Sequence, residues 1–247
     1  MTSIPSIVLL SEMVALQRAT DVTSNNIANS STTGFKRQGI LFETYTAGNN
    51  IRQATNFVFD KRTFFDGTVG TISSTGNPLD VALQGDGFFQ VQTPQGIQYT
   101  RNGAFQINSQ GNLVTSNGMA VLDTGGAPIL FPDDSRDVSI ARDGTISIIT
   151  GTDVGKTQLG RIAIVKFEDN NAVTALGGSM VTTNQYPIPV ESNIAIQGAV
   201  ENSNVSAVSE ITSLIAIQRA YERASGLIDQ ESDRVRNAID KLGQTTA

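Results

Sequence analysis

The chain has 247 residues, a formal net charge of −6 at pH 7, and neither His nor Cys. Without those two residue types there is no Ser–His–Asp triad, no Cys nucleophile, no disulfide and no zinc site built on imidazole or thiolate. General acid–base chemistry would fall to carboxylates, Lys or Tyr. The acidic balance argues against nucleic acid as a partner, because neutralising phosphates requires clustered Lys and Arg.

The first predicted element is a long N-terminal helix. Its seam recurs every three or four positions through Leu9, Met13, Leu16, Thr20, Thr23 and Ile27. We expect the helix to begin near Ser3 or Ser6 and to end within Asn29–Gly34, where small polar residues take over. No Lys or Arg precedes the apolar run Ile7–Leu10, so the start lacks the basic segment of a secretory signal peptide, which by itself indicates a cytoplasmic protein.

The stretch that follows, residues 35–79, holds no sustained helical or strand period. It mixes short extended pieces such as Phe57–Phe59 with polar and glycine-rich stretches such as Ser73–Gly76. We interpret residues 35–75 as an extended connection that needs a neighbour to order it.

The middle of the chain predicts a β-rich domain over residues 76–197. Short alternating runs are separated by turn signals such as Asn102-Gly103 and Asn117-Gly118. The predicted strands are 88–92, 97–100, 104–107, 113–115, 119–122, 138–140, 146–149 and 162–167. Strands so closely spaced favour an antiparallel sandwich or a small barrel.

The last predicted element is a C-terminal helix of about forty residues, a length that suggests a coiled coil. Its seam consists of Leu214, Ile217, Tyr221, Ala224, Ile228, Glu231, Val235, Ala238 and Leu242. A second apolar stripe beside the first consists of Val208, Ile211 and Ile215. Asn202–Asn204 supply candidate N-caps, and Gly243 matches a glycine at the helix end. A helix that lies on its own domain's core is the open alternative.

The predicted fold class is α+β, with an antiparallel β-rich central domain flanked by N- and C-terminal helices that pair as an antiparallel coiled coil. The predicted boundaries are 1–34 for the first helix, 35–75 for the connection, 76–197 for the β-rich domain and 198–247 for the second helix. The apolar stripes are wider than the surface that pairing of the two helices can cover. The apolar surface that remains exposed is expected to contact other chains.

Three groups of short motifs stand at the two ends and in the middle of the chain. They are Ala15–Arg18, Asn25–Asn29 and Thr32–Arg37; Thr75–Leu83, Gly85–Phe89 and Tyr99–Gly103; and Gly198–Val205, Leu214-Ile215 and Gln218–Glu222. In this order they resemble the signatures of bacterial flagellar rod and hook proteins. Within that family, the length and the form of Leu79–Phe89 are most similar to proximal-rod members, with distal-rod members next.

The resemblance implies a structural, non-enzymatic subunit of the flagellar basal-body rod. It implies assembly with copies of itself and with other rod proteins, into a tube that surrounds the export channel and transmits torque. It also implies export by the flagellar type III apparatus without a cleaved signal peptide, and assembly in the periplasm, which replaces the cytoplasmic interpretation. No cofactor, metal ion, nucleic acid or membrane span is expected.

We predict a subunit interface on the two helices and the segment after the first. Its predicted members are Leu9, Met13, Leu16, Asn25, Asn26, Ile27, Asn29, Phe35, Leu214, Ile217, Gln218, Arg219, Tyr221, Glu222, Ile228 and Val235. For the Asn side chains, bonding between subunits is favoured over helix capping alone, since an amide offers both a donor and an acceptor. Arg219 and Glu222 either form a solvated face or set the register between neighbours.

Two further interpretations concern the β-rich domain. Phe88 and Phe89 are adjacent in a predicted strand, so one of them is expected to face away from the core. A different class of function, glycan processing by a pair of carboxylates, would have to use the acidic residues of this domain. The candidates are Asp80, Asp86, Asp123, Asp143 and Glu168, most of which sit in or beside glycine turns.

Overall fold

The computed structural model describes residues 4–47, 55–151, 155–169, 172–177, 179–190 and 194–244. The chain divides into two compact units. The helical unit comprises Met1–Ala28, Gln38–Thr63 and Ser206–Ala247, and the β unit comprises Asn29–Arg37 and Phe64–Val205. The four-segment division expected from the sequence stays a prediction.

The helical unit contains two long helices that pack against each other, α1 at Ile4–Ala28 and α2 at Ala207–Gln244. The buried apolar residues of the two helices are small, namely Ala15 and Val22 on α1 and Ala224 on α2. Asn26, near the end of α1, bonds Glu210, near the start of α2, as an antiparallel pair requires. The predicted α+β class with two paired helices is therefore confirmed. None of the helices in the described part of the chain is both long and apolar enough to cross a membrane.

The start of α2 differs from the prediction. The helix begins at Ala207, and its first turn is closed by the Glu210 amide, which donates to the Ser206 carbonyl at 3.0 Å. The predicted N-caps Asn202–Asn204 are therefore wrong, because these residues lie before the first turn. Gly243 lies inside α2 and not beyond its end.

The helical unit also contains a two-stranded sheet that the sequence pattern did not reveal. Strand β1 runs over Gln38–Ala47 and β2 over Thr55–Phe65, and the two strands pair. Both fall largely within the stretch interpreted as an extended connection. Their apolar residues do not alternate strictly, as the run Ile40–Phe42 shows, so the period of two was hidden.

The remaining strands build the β unit. They are β3 (Ile72–Ser74), β4 (Val81–Leu83), β5 (Phe88–Thr93), β6 (Gly96–Thr100), β7 (Phe105–Ile107), β8 (Leu113–Thr115), β9 (Ala120–Val121), β10 (Ser135–Ile140), β11 (Thr145–Thr150), β12 (Thr157–Arg161), β13 (Ile164–Lys166), β14 (Thr174–Gly177), β15 (Met180–Thr182), β16 (Ile188–Pro189), β17 (Ala195–Gln197) and β18 (Ala199–Glu201). A nine-stranded sheet has the path β14-β15-β6-β5-β9-β8-β7, with β13 joining β5 to β16. Smaller sheets are β10-β11-β12, β17-β4 and β18-β3. The predicted central strands are confirmed, and their described pairings are antiparallel.

The first two residues of β5 are buried on opposite faces of the strand, which corrects the expectation that Phe88 or Phe89 would face away from the core. Phe89 belongs to the main apolar cluster and packs edge-on against Phe105, with the ring centroids 5.0 Å apart. Phe88 belongs to a second cluster and lies 5.6 Å from the Phe167 ring. The β unit thus has two apolar layers, one on each side of this strand.

Candidate subunit interface

Apolar side chains on the surface of both helices form the candidate interface. On α1, Ile7, Leu10 and Val14 follow one another at helical spacing and are all exposed. On α2, Val208, Ile211 and Ile215 repeat the same spacing, and Val208 is 78% exposed. We refer to these two rows as the exposed stripes. Apolar rows of this kind on the surface of a single chain are typical of surfaces that a partner covers.

The predicted seam residues occupy a different position on the helices. Those that lie half-buried beside the contact of α1 with α2 are Leu9, Met13, Leu16, Ile27, Leu214, Ile217, Ile228 and Val235. Those that are exposed on the helix surface are Asn25, Gln218, Arg219, Tyr221 and Glu222. The second row of α2, noticed in the sequence but not included among the predicted interface residues, is more exposed than the seam.

Asn26 is part of a buried joint within the helical unit and not a surface group. Its side-chain amide donates to the Gln38 carbonyl at 2.8 Å and to the Glu210 carboxylate at 3.2 Å, and its oxygen accepts from the Gln38 amide at 2.9 Å. Asn26 is 1% exposed. We call these three residues the Asn26 joint. Both ends of its amide are engaged within the chain, and the expected bonding of Asn26 between subunits stays a prediction.

Phe35 is likewise buried within the chain. Its side chain is 4% exposed, so within one chain it is a core residue of the β unit. Its place in the subunit interface stays a prediction. Asn29, half-buried at the start of this unit, accepts a side-chain bond from Thr32 at 3.1 Å, which is a local turn contact.

The segments by which the chain enters and leaves the β unit are bonded together. We call residues 33–37 the N-terminal linker and residues 198–205 the C-terminal linker. Asn204 accepts a bond from the Arg37 amide at 2.7 Å, and its own amide donates to the carbonyls of Asp66 and Thr68 at 3.2 and 3.1 Å. The residues expected to cap α2 therefore hold the two linkers together, and Asn204 makes the largest share of these bonds.

A cluster of buried charges lies where these linkers meet the β sheet. Lys36 Nζ lies 2.6 Å from Glu201 Oε1, and Arg101 Nε lies 3.6 Å from Glu201 Oε2. All three side chains are at most 3% exposed. Lys36 also donates to the Thr68 carbonyl at 2.5 Å, and the Gly70 amide donates to Glu201 Oε1 at 2.8 Å. We call Lys36, Arg101 and Glu201 the Glu201 cluster.

Burial and pairing act in opposite directions on the cations of the Glu201 cluster. Burial lowers the pKa of Lys36, although the hydrogen bond and the charge of Glu201 act in the opposite direction. Burial likewise lowers the pKa of Arg101 against the attraction of Glu201 and Asp86. A buried ion cluster of this kind constrains which groups can meet, because any one of these charges left without its partner would be costly inside the protein.

Two glycines allow the linkers to approach the rest of the unit. Gly34 has a φ of +68°, and a β-carbon there would overlap the backbone of Arg101 and Asn102. A β-carbon on Gly70 would overlap the Asn202 carbonyl. The glycine in the Thr32–Arg37 motif is thus required by a close backbone contact.

The carboxylates named for a glycan-processing site have structural partners in this unit. Asp80 accepts from the Thr75 hydroxyl at 2.6 Å, and Asp123 accepts from the Gly125 and Ala127 amides, each at 2.8 Å. Asp143 accepts from the amide and the hydroxyl of Thr145, which together hold the pKa of that carboxyl below its usual range. Each of these three carboxylates closes a turn, as their glycine-rich neighbourhoods suggested.

Three family models match the chain in the order of its motifs. Residues 8–36 match "Flagella basal body rod protein", residues 82–148 match "Flagellar hook protein FlgE/F/G D1 domain", and residues 196–240 match "Flagellar basal body rod FlgEFG protein C-terminal". A flagellar basal-body rod protein FlgF from Mesorhizobium japonicum is 36% identical over 239 residues, covering 96% of each chain. The chain belongs to the flagellar basal-body rod protein family. The sequence-based recognition is confirmed.

Other members of the rod protein family agree with this assignment. FlgF from Caulobacter vibrioides is 37% identical over 241 residues, covering 95% of this chain and 96% of its own. FlgG from Buchnera aphidicola is 35% identical over 246 residues, covering 90% of this chain and 93% of its own. The FlgF-like assignment is the better supported of the two. The three matched regions each contribute one member of the Glu201 cluster, Lys36, Arg101 and Glu201.

The three members of the Glu201 cluster lie in the family motifs, but the sequence predicted no role for them. Each of the three motifs contains a charged residue: Lys36 in TTGFKR, Arg101 in YTRNG and Glu201 in GAVENSNV. A single sequence does not show that these distant charges meet, so no signal in it identified the cluster.

Proposed function

We propose that the chain is a FlgF-like structural subunit of the flagellar basal-body rod, without enzymatic activity. Its helices pack with those of other copies and other rod proteins to form the wall of a tube around the export channel, and the tube transmits torque. The subunit reaches the periplasm through the flagellar type III apparatus without a cleaved signal peptide. This proposal follows from the membership of the rod family together with the surface of the helical unit.

The observation that carries the proposal is the pair of exposed stripes. Pairing of α1 with α2 buries Ala15, Val22 and Ala224, yet leaves two apolar rows in contact with solvent. A helix pair that served only its own chain would place polar residues there. The rows are therefore best accounted for by neighbouring helices, as in an extended assembly built from many copies.

The sheet of β1 and β2 provides a second support. Leu41 and Phe42 are consecutive in β1, so they point to opposite faces of the sheet, and both are exposed. A two-stranded sheet alone is marginally stable in water. We infer that these strands are covered by adjacent subunits, which agrees with the expectation that a neighbour orders this part of the chain.

The test replaces Ile211 and Ile215 together with Lys and measures rod assembly and swimming in cells. We expect the double variant to be expressed and folded but absent from purified basal bodies, because two charges would enter an apolar contact. The matched control is Ser209→Lys with Ser213→Lys, which adds the same charges to exposed polar positions of the same turns. We expect the control to assemble.

The test substitutes residues of an exposed stripe and not residues of the predicted helix seam. Ile217 and Ile228 are half-buried in the helical unit, so charges there would also perturb the folding of the monomer. Normal swimming of the Ile211→Lys, Ile215→Lys variant would overturn the tube-wall proposal. The position of this chain in basal bodies, on the proximal or the distal side of the rod, distinguishes a FlgF-like from a FlgG-like subunit.

A further inference from the structure

The N-terminal linker is tied to the β unit at successive residues. Ser179 Oγ donates to the Thr33 carbonyl at 3.1 Å, and the Gly34 amide donates to the Glu201 carbonyl at 2.7 Å. Beyond these, the bonds to Asn204 and to the Glu201 carboxylate continue along the linker. The linker therefore lies against the β unit as a continuous series of bonds.

Ser179 makes its bond to the N-terminal linker from an unfavourable backbone conformation. Its φ is +62°, a conformation that residues other than Gly adopt infrequently, and its side chain is buried. The hydroxyl donates to Thr33, and the Ser179 carbonyl accepts from Thr100 Oγ1 at 2.9 Å. Both polar groups of this residue thus serve to fix the N-terminal linker against β6.

Each linker ends at a point where the chain passes between its units; the chain also passes between them at Ala28–Asn29 and at Thr63–Phe64. The chain leaves the β unit after Arg37 and again after Val205, so the N-terminal linker continues into β1 and the C-terminal linker into α2. Any pull exerted on the helical unit reaches the β unit along covalent paths that include these linkers. A bond between the linkers makes both resist the pull together.

We propose that one group of bonded residues forms a clamp that carries mechanical force, which we call the linker clamp. It consists of the N-terminal linker, Ser179, Asn204 and the Glu201 cluster. It makes the two linkers yield as one and so carries force between the helices and the β unit. Its Glu201 cluster supplies a bond that is slow to break, because separating Lys36 from Glu201 exposes two buried charges before water can solvate them. That the clamp carries force in the cell rests on the proposed function as a rod subunit. The bonds of the clamp themselves are a property of the single chain.

The test uses single-molecule force spectroscopy on the full chain. Because the sequence has no Cys, two introduced cysteines serve as unique attachment points. Ser24→Cys places one on the exposed side of α1, and Asn117→Cys places the other in the exposed turn between β8 and β9. The measured quantity is the lifetime of the first rupture at constant force.

Removing the charge of Glu201 should weaken the clamp strongly. In the Glu201→Gln variant we expect the lifetime to fall on the order of 100-fold, the scale set by leaving buried cations without their anion. In the Ser179→Gly variant, which removes one hydroxyl bond at a φ that Gly prefers, we expect a fall of about two- to tenfold. The second variant keeps the proposal testable if the first does not fold.

The matched control is Ile148→Ala, which opens a cavity in the core at β11 without touching either linker. We expect it to lower the thermal midpoint of the β unit but to leave the lifetime of the first rupture unchanged. Unchanged lifetimes in both clamp variants, or an equal fall in the control, would overturn the proposal. Failure of the chain to enter rods would contradict the proposed function but leave this measurement intact.

Discussion

The side chain of Asn26 joins α1 to the start of β1 and to the start of α2, and its replacement by Leu measures this contribution directly. The change keeps the side-chain volume roughly constant but removes three hydrogen bonds. It leaves the Glu210 carboxylate, 3% exposed, without one donor, and leaves both backbone groups of the half-buried Gln38 unpaired on this side.

The magnitude follows from burial. A buried polar group deprived of its partner costs about 1–3 kcal/mol, and water can reach the half-buried Gln38 but not Glu210. We therefore expect Asn26→Leu to lower the free energy of unfolding by about 3 kcal/mol. For a chain of this size that corresponds to a fall of about 6–12 °C in the midpoint of unfolding.

The assay is thermal unfolding followed by far-UV circular dichroism at a helix band, since the joint lies in the helical unit. Ser24→Leu is the control, because it places the same side chain on an exposed position of the same helix. Surface changes of this kind usually stay within about 0.5 kcal/mol. If Asn26→Leu unfolds at the same temperature as Ser24→Leu, the joint contributes no stability and the reasoning from burial is refuted.

Two further predictions concern the β unit. Phe89→Ala should lower the free energy of unfolding by about 3–5 kcal/mol, since the ring is fully buried in the main cluster. Urea unfolding measures this loss. The control Gln92→Ala, at an exposed position of the same strand, should show almost no loss. Thr145→Val removes one of the bonds that lower the pKa of Asp143, so that pKa should rise toward its ordinary value in an NMR titration. The stabilisation from Asp143 is present above its unfolded pKa and disappears as the pH falls through its lowered folded pKa, so an unchanged titration would contradict this account.

Sequence periodicity predicted the elements whose burial is periodic. The helices and the central strands of the β unit carry apolar residues at spacings that match one buried face, and they formed where expected. β5 was found although its first residues are buried on both faces, because turn signals bounded it on each side. The strands β14 to β18 are two to four residues long, such as Ala195–Gln197, which is too short for a period of two to distinguish them from loop.

In the candidate interface, too, periodic features could be predicted from the sequence and contacts between distant residues could not. The exposed stripes are periodic, so the sequence showed the row from Val208 to Ile215 before the structure did. The Asn26 joint and the Glu201 cluster depend on partners far away in the chain, such as Glu210 for Asn26. A single sequence contains no measure of which distant polar groups meet, so it predicted bonding of Asn26 between subunits and gave no role to Lys36, Arg101 or Glu201.

This division separates the buried residues of the family motifs from the exposed apolar residues proposed to hold subunits together, although Ile215 lies both in a motif and in an exposed stripe. Lys36, Arg101 and Glu201 lie in the recognisable motifs, and each is buried where a different residue type would leave a charge unpaired. An exposed apolar row needs only its spacing and hydrophobicity, so Val, Ile or Leu serve equally well there. The motifs are therefore best understood as fixing the shape of the subunit, and the stripes as the surface which that shape presents to its neighbours.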